Sequence, residues 1–239
     1  MKFTIAALAV SATLMSLSAP AMAVSQISTP VSIDASKLGT SFKVVYNGYS
    51  TELLKSYLKA ESIFKLTSVS ADKKTWTFGI VEYTNLTTLP ATQARLAAFG
   101  FDTVGATISS ATISGAGSID KAILNGSFPQ INQNLNVCFS PGNNCASAGN
   151  GGLNIGASLP AGGSFVLKFA SAVQTIHLDH FTVRYNAIVG TGTEPSASGE
   201  AVAVTVTPFP EPGVWVEMII GFGLVGAATR RKRGLPAHA

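Results

Sequence analysis

Apolar and polar residues alternate in short segments along most of the chain, and Gly, Asn, Ser and Pro separate these segments. In TWTFGIVEYTN, residues 75–85, the side chains of Trp76, Phe78 and Ile80 fall on one face, while small and polar residues fall on the other. This period of two predicts a half-buried β-strand. The β-branched and aromatic segment 61–70 precedes it across the polar turn ADKK, so the sequence predicts a β-hairpin here.

Seven other segments have a similar β-branched, aromatic and apolar character. They are residues 41–48, 94–101, 106–113, 135–139, 164–170, 175–189 and 201–207. Together with the hairpin they make nine short strands, which predict an all-β fold, and we expect an antiparallel β-sandwich of jelly-roll or immunoglobulin-like topology. The Gly-rich run 147–163 and the segment 190–200 are predicted as long loops or strand connections.

The segment STELLKSYLKAE, residues 50–61, leaves two alternatives open. Its leucines and its tyrosine recur at helical spacing after Ser50 and Thr51, which are suitable helix caps. The segment therefore predicts either one short helix or a strand outside the core. Both alternatives are compatible with an all-β domain.

Charge is sparse and concentrated at the ends of the chain. Of the 239 residues only 12% are charged, while 46% are hydrophobic, which is enough for one core of ordinary size. Lys2 and the run Arg230–Arg233 supply five of the 16 basic residues, so the middle of the chain is close to neutral. It has no basic surface with interleaved aromatic residues, and we therefore expect no nucleic-acid partner.

The first 23 residues have the pattern of a secretory signal peptide. Lys2 is followed by an apolar run that ends near Leu17, and Ala21 and Ala23 form a small-x-small cleavage site. We expect signal peptidase to cut after Ala23, so that the mature chain begins at Val24. An N-terminal membrane anchor is the alternative, but the apolar run is short and ends at a cleavage site.

Export bears on the interpretation of the two cysteines. Cys138 and Cys145 are seven positions apart, with Pro141, Gly142 and two asparagines between them, so the chain can turn back on itself. In an oxidising compartment this pattern predicts one disulfide that closes a small loop. A metal site would need more ligands than two thiols, and a redox-active pair usually has two intervening residues.

The segment HLDH, residues 177–180, holds the closest cluster of histidine and acid. On a regular strand His177 and Asp179 share one face and His180 lies on the other, so we expect solvent-facing polar side chains rather than a zinc site. Several acids, among them Asp102, are available for a glycosidase-like pair, but nothing in the sequence marks two of them. The sequence predicts no catalytic residue, metal or cofactor.

The C-terminal segment differs from the β-rich middle. Pro210 and Pro212 interrupt any strand or helix, and the 17 residues from Gly213 to Thr229 carry one charge, Glu217. The basic run Arg230–Arg233 follows, and in an exported protein such cations stay in the cytoplasm. We expect a transmembrane helix over 213–229 that holds the chain in the inner membrane. A soluble amphipathic or core helix is the alternative, although the glycines of this span would weaken it.

The same segment has a specific order of residues. Its members are Pro210, Glu211, Pro212, Trp215, Gly221, Gly223, Arg230, Arg231, Lys232 and Arg233. This order resembles the PEP-CTERM sorting signal in its PEP-x-x-W form, also known as the ice-binding protein C-terminal domain. The resemblance covers only the tail and implies processing by exosortase, a membrane transpeptidase-like cysteine enzyme of Gram-negative bacteria that make exopolysaccharide. Glu217 stands where the family usually has an apolar residue, and GLPAHA extends past the basic run.

The central region resembles, more loosely, the cistern family of PEP-CTERM proteins. The resemblance rests on ARLAAFGFDTVG at 94–105, VCFSPGNNCASAGNGGL at 137–153 and DHFTVRYNAI at 179–188. The biochemical role of that family is not defined. The resemblance therefore implies a grouping and no activity.

These features divide the chain into a signal peptide (1–23), a β-sandwich domain (24–207) and a sorting signal (208–234). We expect an exported cell-surface or extracellular protein that is a substrate of exosortase, is not itself an enzyme, and has exopolysaccharide as a candidate partner. A carbohydrate-active enzyme or a carbohydrate-binding module on a β-sandwich is the alternative. Ice binding is suggested only by the other name of the tail, and the threonines of 103–114 form too short and irregular an array for it.

Overall fold

The computed structural model describes residues 29–50, 53–129, 131, 133–147, 149–159, 162–192 and 195–208. The predicted signal peptide, the sorting signal from residue 209 onward and the predicted transmembrane segment lie outside these residues. Within the described ranges, no helix has the length and hydrophobicity that a membrane span requires.

Eleven β-strands make up the regular structure of the described residues, which confirms the all-β class. In chain order they are β1 Val31–Asp34, β2 Ser41–Ser50, β3 Leu53–Val69, β4 Thr75–Asn85, β5 Gln93–Val104, β6 Ile108–Ser114, β7 Lys121–Phe128, β8 Gln133–Ser140, β9 Gly163–Phe169, β10 Thr175–Val189 and β11 Ala197–Thr207. All nine predicted strands are present. The sequence pattern missed β1, which has only four residues, and β7, which contains the turn-like pair Asn125–Gly126.

The strands form one continuous antiparallel sheet, which differs from the two separate sheets of the expected sandwich. Its order is β6-β9-β4-β3-β2-β11-β10-β5-β8-β7, and β1 pairs with β10. Long strands such as β3 and β10 twist, and β-bulges increase that twist, so the sheet curves round instead of splitting into two layers. Its two ends meet, because Cα atoms of β6 and β7 come within 8 Å, although the described ladders do not pair them.

The inner face of this curved sheet encloses an aromatic core. The ring centroids of Phe99, Phe139 and Phe165 lie 4.9 to 6.1 Å apart, and further phenylalanines from neighbouring strands surround them. Trp76 and Phe78 are fully buried in the same core, as the alternation in β4 predicted. Ten aromatic rings of the described residues pack together in this core, and they take the place of the interface that a sandwich would form between two sheets.

Strands β3 and β4 form the predicted hairpin, and β3 also includes most of residues 50–61. The helix alternative for that segment is wrong, whereas the strand alternative is correct except that the strand does not lie wholly outside the core. Leu54 and Lys55 extend the ladder with β2, and Leu58 and Ala60 are fully buried. Pairing with β2 and burial in the core override the helical spacing of the leucines.

A second, smaller cluster lies on the outer face of β5. Its members are Tyr49, Ala97, Ala98, Phe128, Ile131, Leu135, Cys138 and Cys145. Cys138 and Cys145 lie at disulfide distance, with their Cα atoms 6.5 Å apart, and they are paired as the sequence predicted. Since Phe128 and Leu135 flank the β7–β8 turn, the tip of that hairpin folds over the outside of the sheet.

Candidate functional site

Two rows of side chains cross the outer face of β5, β10, β11 and β2, and most of them are polar. In the first row the backbone registers align Ala98, Arg184, Ser198 and Tyr49. In the second row they align Gly100, Thr182, Glu200 and Asn47. Residues that are register partners on adjacent strands share one face of the sheet. Polar groups therefore lie on the outside of strands whose inner face is apolar.

The tip of the β7–β8 hairpin covers part of these rows. Its apolar residues Phe128 and Ile131 belong to the same cluster as Tyr49 and Ala98, and Ser198 Oγ donates a hydrogen bond to the Pro129 carbonyl oxygen. In the same two rows, Arg184 and Glu200 are only 5% and 3% exposed. The outer face thus holds two charged side chains in a largely buried environment.

The HLDH segment lies in β10, where a β-bulge interrupts the strict alternation that the sequence predicted. Asp179 pairs with Asp102 while Thr182 pairs with Gly100, so β10 has one residue more than β5 in this interval. His180 adopts a φ of 51° in the bulge. The sequence placed His180 on the face opposite to Asp179. In the structure the His180 ring instead lies beside Asp102, the register partner of Asp179, with Nδ1 at 3.0 Å from Oδ2 of Asp102.

The carboxylates of Asp102 and Asp179 accept hydrogen bonds that connect chain segments. Oδ1 of Asp102 accepts from the backbone N–H of Asn136 in β8, at 2.8 Å. Oδ1 of Asp179 accepts from the backbone N–H groups of Thr29 and His180, both at 2.8 Å. These contacts give both acids a structural role, because they hold β8 and the segment before β1 against the central strands.

Glu200 is the described acid with the clearest shift of its pKa toward neutrality. Burial raises the pKa of its carboxyl group to about 7, while the nearby His180 acts in the opposite direction. Burial, and after it the charge of Glu200, also raises the pKa of the Tyr49 hydroxyl. Glu200 therefore titrates near neutral pH within the covered rows.

A pocket of about 520 Å³ opens beside the covered rows, where Arg95 of β5 pairs with Asn186 of β10. Its polar lining consists of Arg95, Ser147, Asn150, Arg184, Asn186 and Ser196. We call it the arginine pocket. Its volume lies within the range of small-molecule binding sites.

Hydrogen bonds fix two walls of the arginine pocket. On one side, Arg95 Nη1 donates to the Asn150 carbonyl oxygen and Asn186 Nδ2 donates to the Ser147 carbonyl oxygen. On the other side, Arg184 Nη2 donates to Ser196 Oγ at 2.8 Å. The first wall comes directly after Cys145, so the disulfide also restrains it.

A second cavity, of about 370 Å³, lies where the two ends of the sheet meet. It is lined by the β5–β6 connection, by Leu124 and Asn125 of β7, and by Asn136 of β8. Its described lining has no charged side chain. Its polar groups are amides, hydroxyls and backbone groups, which would orient a ligand less strongly than the guanidinium groups of the arginine pocket.

The predicted site residues fall into two groups. The sorting-signal residues from Pro210 to Arg233, and the cleavage-site residues Ala21 and Ala23, lie outside the described residues, so their roles stay predictions. The cysteine pair lies inside and is close together as predicted. In the part of the chain that the structure describes, no three His, Cys, Asp or Glu side chains are grouped to hold a metal ion.

Sequence reasoning missed the arginine pocket. Arg95 and Arg184 each lie in an otherwise apolar or aromatic strand, in ARLAAFGF and in FTVRYNAI. The available signal was a cation within an otherwise apolar or aromatic strand. The loop and the β10–β11 connection that complete the pocket are distant in sequence, so their convergence could not be deduced from the pattern.

Comparison of the chain with protein-family models, with curated proteins and with solved structures found no match in any of the three. The features that bear on function are therefore the residue pattern of the C-terminal tail, the disulfide and the arginine pocket.

Proposed function

We propose that the protein is exported, is sorted through its C-terminal signal, and acts without catalysis at the cell surface or in an exopolysaccharide or biofilm matrix. The observation that carries this proposal is the order of the tail, in which Pro210–Pro212, Trp215 and the basic run Arg230–Arg233 follow one another behind an N-terminal signal peptide. Each of these parts corresponds to one physical step of export and sorting.

The steps follow from the chemistry of the chain. Signal peptidase removes residues 1–23, and the apolar span 213–229 stops in the inner membrane. The cations of Arg230–Arg233 resist translocation and keep the C-terminus in the cytoplasm. Exosortase then recognises the corner at Pro210–Pro212, and the working protein retains the β-domain without its membrane anchor.

The cysteine pair supports export independently of the tail. Cys138 and Cys145 are both fully buried and close enough to form a disulfide. Disulfides form and persist in oxidising compartments such as the periplasm and the extracellular space. A chain that has only these two cysteines and places them together is therefore suited to such a compartment.

Cell fractionation tests the proposal. In cells that contain exosortase we expect the protein at the surface or in the matrix, and in cells without the enzyme we expect it in the inner membrane. Glu211→Ala should give the second pattern even when the enzyme is present. The matched variant Glu217→Leu, which restores the apolar residue usual in the family, should be sorted at least as well as wild type. An identical distribution in both kinds of cell would refute the proposal.

Carbohydrate binding by the β-domain has a separate observation in its favour. The arginine pocket combines amide, hydroxyl and guanidinium groups in one open concavity. Hydrolysis of a glycoside would instead require two acids separated by about 5 to 9.5 Å on either side of the scissile bond. The described lining of the pocket includes two arginines and no acid, which favours binding over hydrolysis there.

A further inference from the structure

The cavity of about 370 Å³ where the two ends of the sheet meet, which we call the seam cavity, has a neutral lining. Its described side chains are amides, hydroxyls and small or aliphatic groups, and none of them is charged. Beside the lining residue Asn136, the carboxylate of Asp102 accepts the Asn136 backbone N–H at 2.8 Å. A negative charge next to the lining repels an anion, so the seam cavity suits a neutral polar ligand.

Asn136 of β8 contributes a fixed hydrogen-bond donor to the seam cavity. The backbone N–H of Thr103 donates to Asn136 Oδ1 at 2.8 Å, and the Thr103 hydroxyl lies 3.2 Å from the same oxygen. Because a backbone N–H can only donate, these contacts define which end of the carboxamide is the oxygen. The nitrogen Nδ2 is accessible to solvent and has no hydrogen-bond partner among the described residues. A donor that is already fixed in this way loses less conformational entropy when a ligand binds.

A second carboxamide lies opposite the first. The β7–β8 ladder pairs Leu124 with Val137, so the next two residues, Asn125 and Asn136, are also opposite each other. Asn125 is exposed, and its side chain has no hydrogen-bond partner among the described residues. Thr107 adds an exposed hydroxyl from the β5–β6 connection. Two amides and a hydroxyl supply both donors and acceptors, which is the complement of a group of ligand hydroxyls.

The shape of the seam excludes a peptide strand as the ligand. Cα atoms of β6 and β7 come within 8 Å, whereas a strand inserted between them would hold them about 9.5 Å apart, twice the usual spacing. The described lining also has no aromatic side chain on which a nucleobase would stack. It does have an apolar part beside the amides, formed by Ala106, Ile108 and Leu124. A sugar ring, which has several hydroxyl groups and a small apolar face, satisfies both parts of the lining.

We propose that the seam cavity binds a neutral hexose residue of a polysaccharide, with sugar hydroxyls toward Asn125 and Asn136 and ring C–H groups toward Leu124. The site is separate from the arginine pocket, because Thr103 and Arg95 lie near opposite ends of β5. This inference rests on the proposed function only in supposing that the protein meets a polysaccharide. Binding itself requires neither the signal peptide nor the sorting signal.

Isothermal titration calorimetry on the full chain, in a detergent without a sugar headgroup, tests the ligand class. The probes are neutral tetrasaccharides of glucose, galactose and mannose, and the charged control is a tetrasaccharide of galacturonic acid. We expect at least one neutral probe to bind, the acid to bind more weakly than that probe, and the affinity to be insensitive to salt. No binding of any neutral probe, equal or tighter binding of the acid, or an affinity that falls with salt would overturn the proposal.

Variants at the two amides locate the site. Asn125→Gly removes an exposed carboxamide and introduces a residue that readily adopts the φ of 54° found there. Asn136→Asp keeps the oxygen that accepts from Thr103 and replaces the donor nitrogen. We expect the affinity for the bound tetrasaccharide to fall about fivefold in the first variant and at least about tenfold in the second. Thermal unfolding checks both folds, and Asn125→Gly decides alone if Asn136→Asp unfolds below the wild-type temperature.

Asn154 provides the matched control. It is exposed and follows Leu153, which bridges to Leu96, at the opposite end of β5 from Thr103. Asn154→Gly and Asn154→Asp repeat the same two changes there and should leave the affinity unchanged. Wild-type affinity in Asn125→Gly, or an equal loss in the variants of Asn154, would contradict the proposal. These measurements use purified protein and do not depend on sorting, so failure of the seam cavity and failure of export are distinguished.

Discussion

Glu200 is an acid in an environment that disfavours its charge. It lies on the outer face of β11, opposite Thr182 and Asn47, and it is only 3% exposed. Its pKa is raised by burial from 4.5 to about 7. The folded state therefore binds a proton more tightly than the unfolded state does. It follows that the free energy of unfolding is highest at low pH on this account and falls as the pH rises from about 4.5 to about 7.

Glu200→Gln removes this pH dependence while it preserves the size of the side chain. We expect the variant to be more stable than wild type at pH 8, by roughly 1–3 kcal/mol, and the difference to shrink toward pH 4. Urea unfolding at a series of pH values measures it. Asp120→Asn, at an exposed acid before β7, is the matched control and should show no such trend. A Glu200→Gln variant less stable than wild type at pH 8 would mean that the charged form is favoured in the folded state.

Gly100 allows β8 to approach β5 closely. A Cβ atom at this position would lie 2.7 Å from the Val137 carbonyl oxygen and 2.8 Å from Cys138 Cβ. Gly100→Ala should therefore reduce the free energy of unfolding by about 1–3 kcal/mol, since the backbone of β8 must move. In Gly79→Ala the nearest atom is the methyl group of exposed Thr67, at 3.3 Å, which can rotate away. Thermal unfolding of both variants makes the comparison, and equal losses would refute this explanation.

At the scale of elements, the β7–β8 hairpin is a cover that is fixed at two points. In its turn, the Pro129 carbonyl oxygen accepts a hydrogen bond from Ser198 Oγ of β11. Its second strand is joined through Cys138 to Cys145, at the start of the loop that forms one wall of the arginine pocket. The hairpin and the pocket wall are therefore connected by the disulfide.

Removal of the disulfide should destabilise both the β7–β8 hairpin and the wall of the arginine pocket. The double variant Cys138→Ala/Cys145→Ala should lose about 2 kcal/mol of stability, the value for a short closed loop. Reducing agent should lower the stability of wild type by a similar amount and leave the double variant unchanged. Chemical unfolding with and without the agent measures this, and the same response in both proteins would contradict a disulfide in the native chain.

The bounds of a strand were most predictable where one of its faces packs against the core. Strand β4 begins and ends at the predicted residues, because its alternation reports burial on one side. Strand β10 also has the predicted bounds, although residues 181–185 are buried on both faces. The segment 50–61 was left open between a helix and a strand because its leucine spacing also fits a helix, and only the ladder with β2 decides for the strand. The bulge at His180 could not be predicted for a similar reason. A bulge is one extra residue relative to the partner strand, and the sequence of β10 alone does not identify β5 as that partner.

Closure of the sheet and the arginine pocket depend on partners that are distant in sequence. Strand β4 pairs with β9, and β11 pairs with β2, across most of the domain. Neither pairing leaves a local signal in composition or spacing. The tail is the opposite case, because Pro210–Pro212, the apolar span and Arg230–Arg233 follow one another closely, so a sorting signal can be predicted from their order alone; that prediction lies outside the described residues.

In the proposed function, the whole molecule consists of a nearly neutral β-domain between two ends that direct its transport. The domain contributes the disulfide and the arginine pocket, and the ends contribute the cleavage site at Ala23 and the corner at Pro210–Pro212. On this account the ends are absent from the working protein. The ligand of the working protein then has to be sought on the β-domain.

The most direct test of this account is the intact mass of the protein isolated from cells with and without exosortase. With the enzyme, we expect a chain that begins at Val24 and ends at or near Pro210–Pro212. Without it, we expect a chain that begins at Val24 and still ends at Ala239. A chain that retains Met1, or one that has the same C-terminus in both kinds of cell, would contradict the central claim that this protein is exported and sorted through its tail.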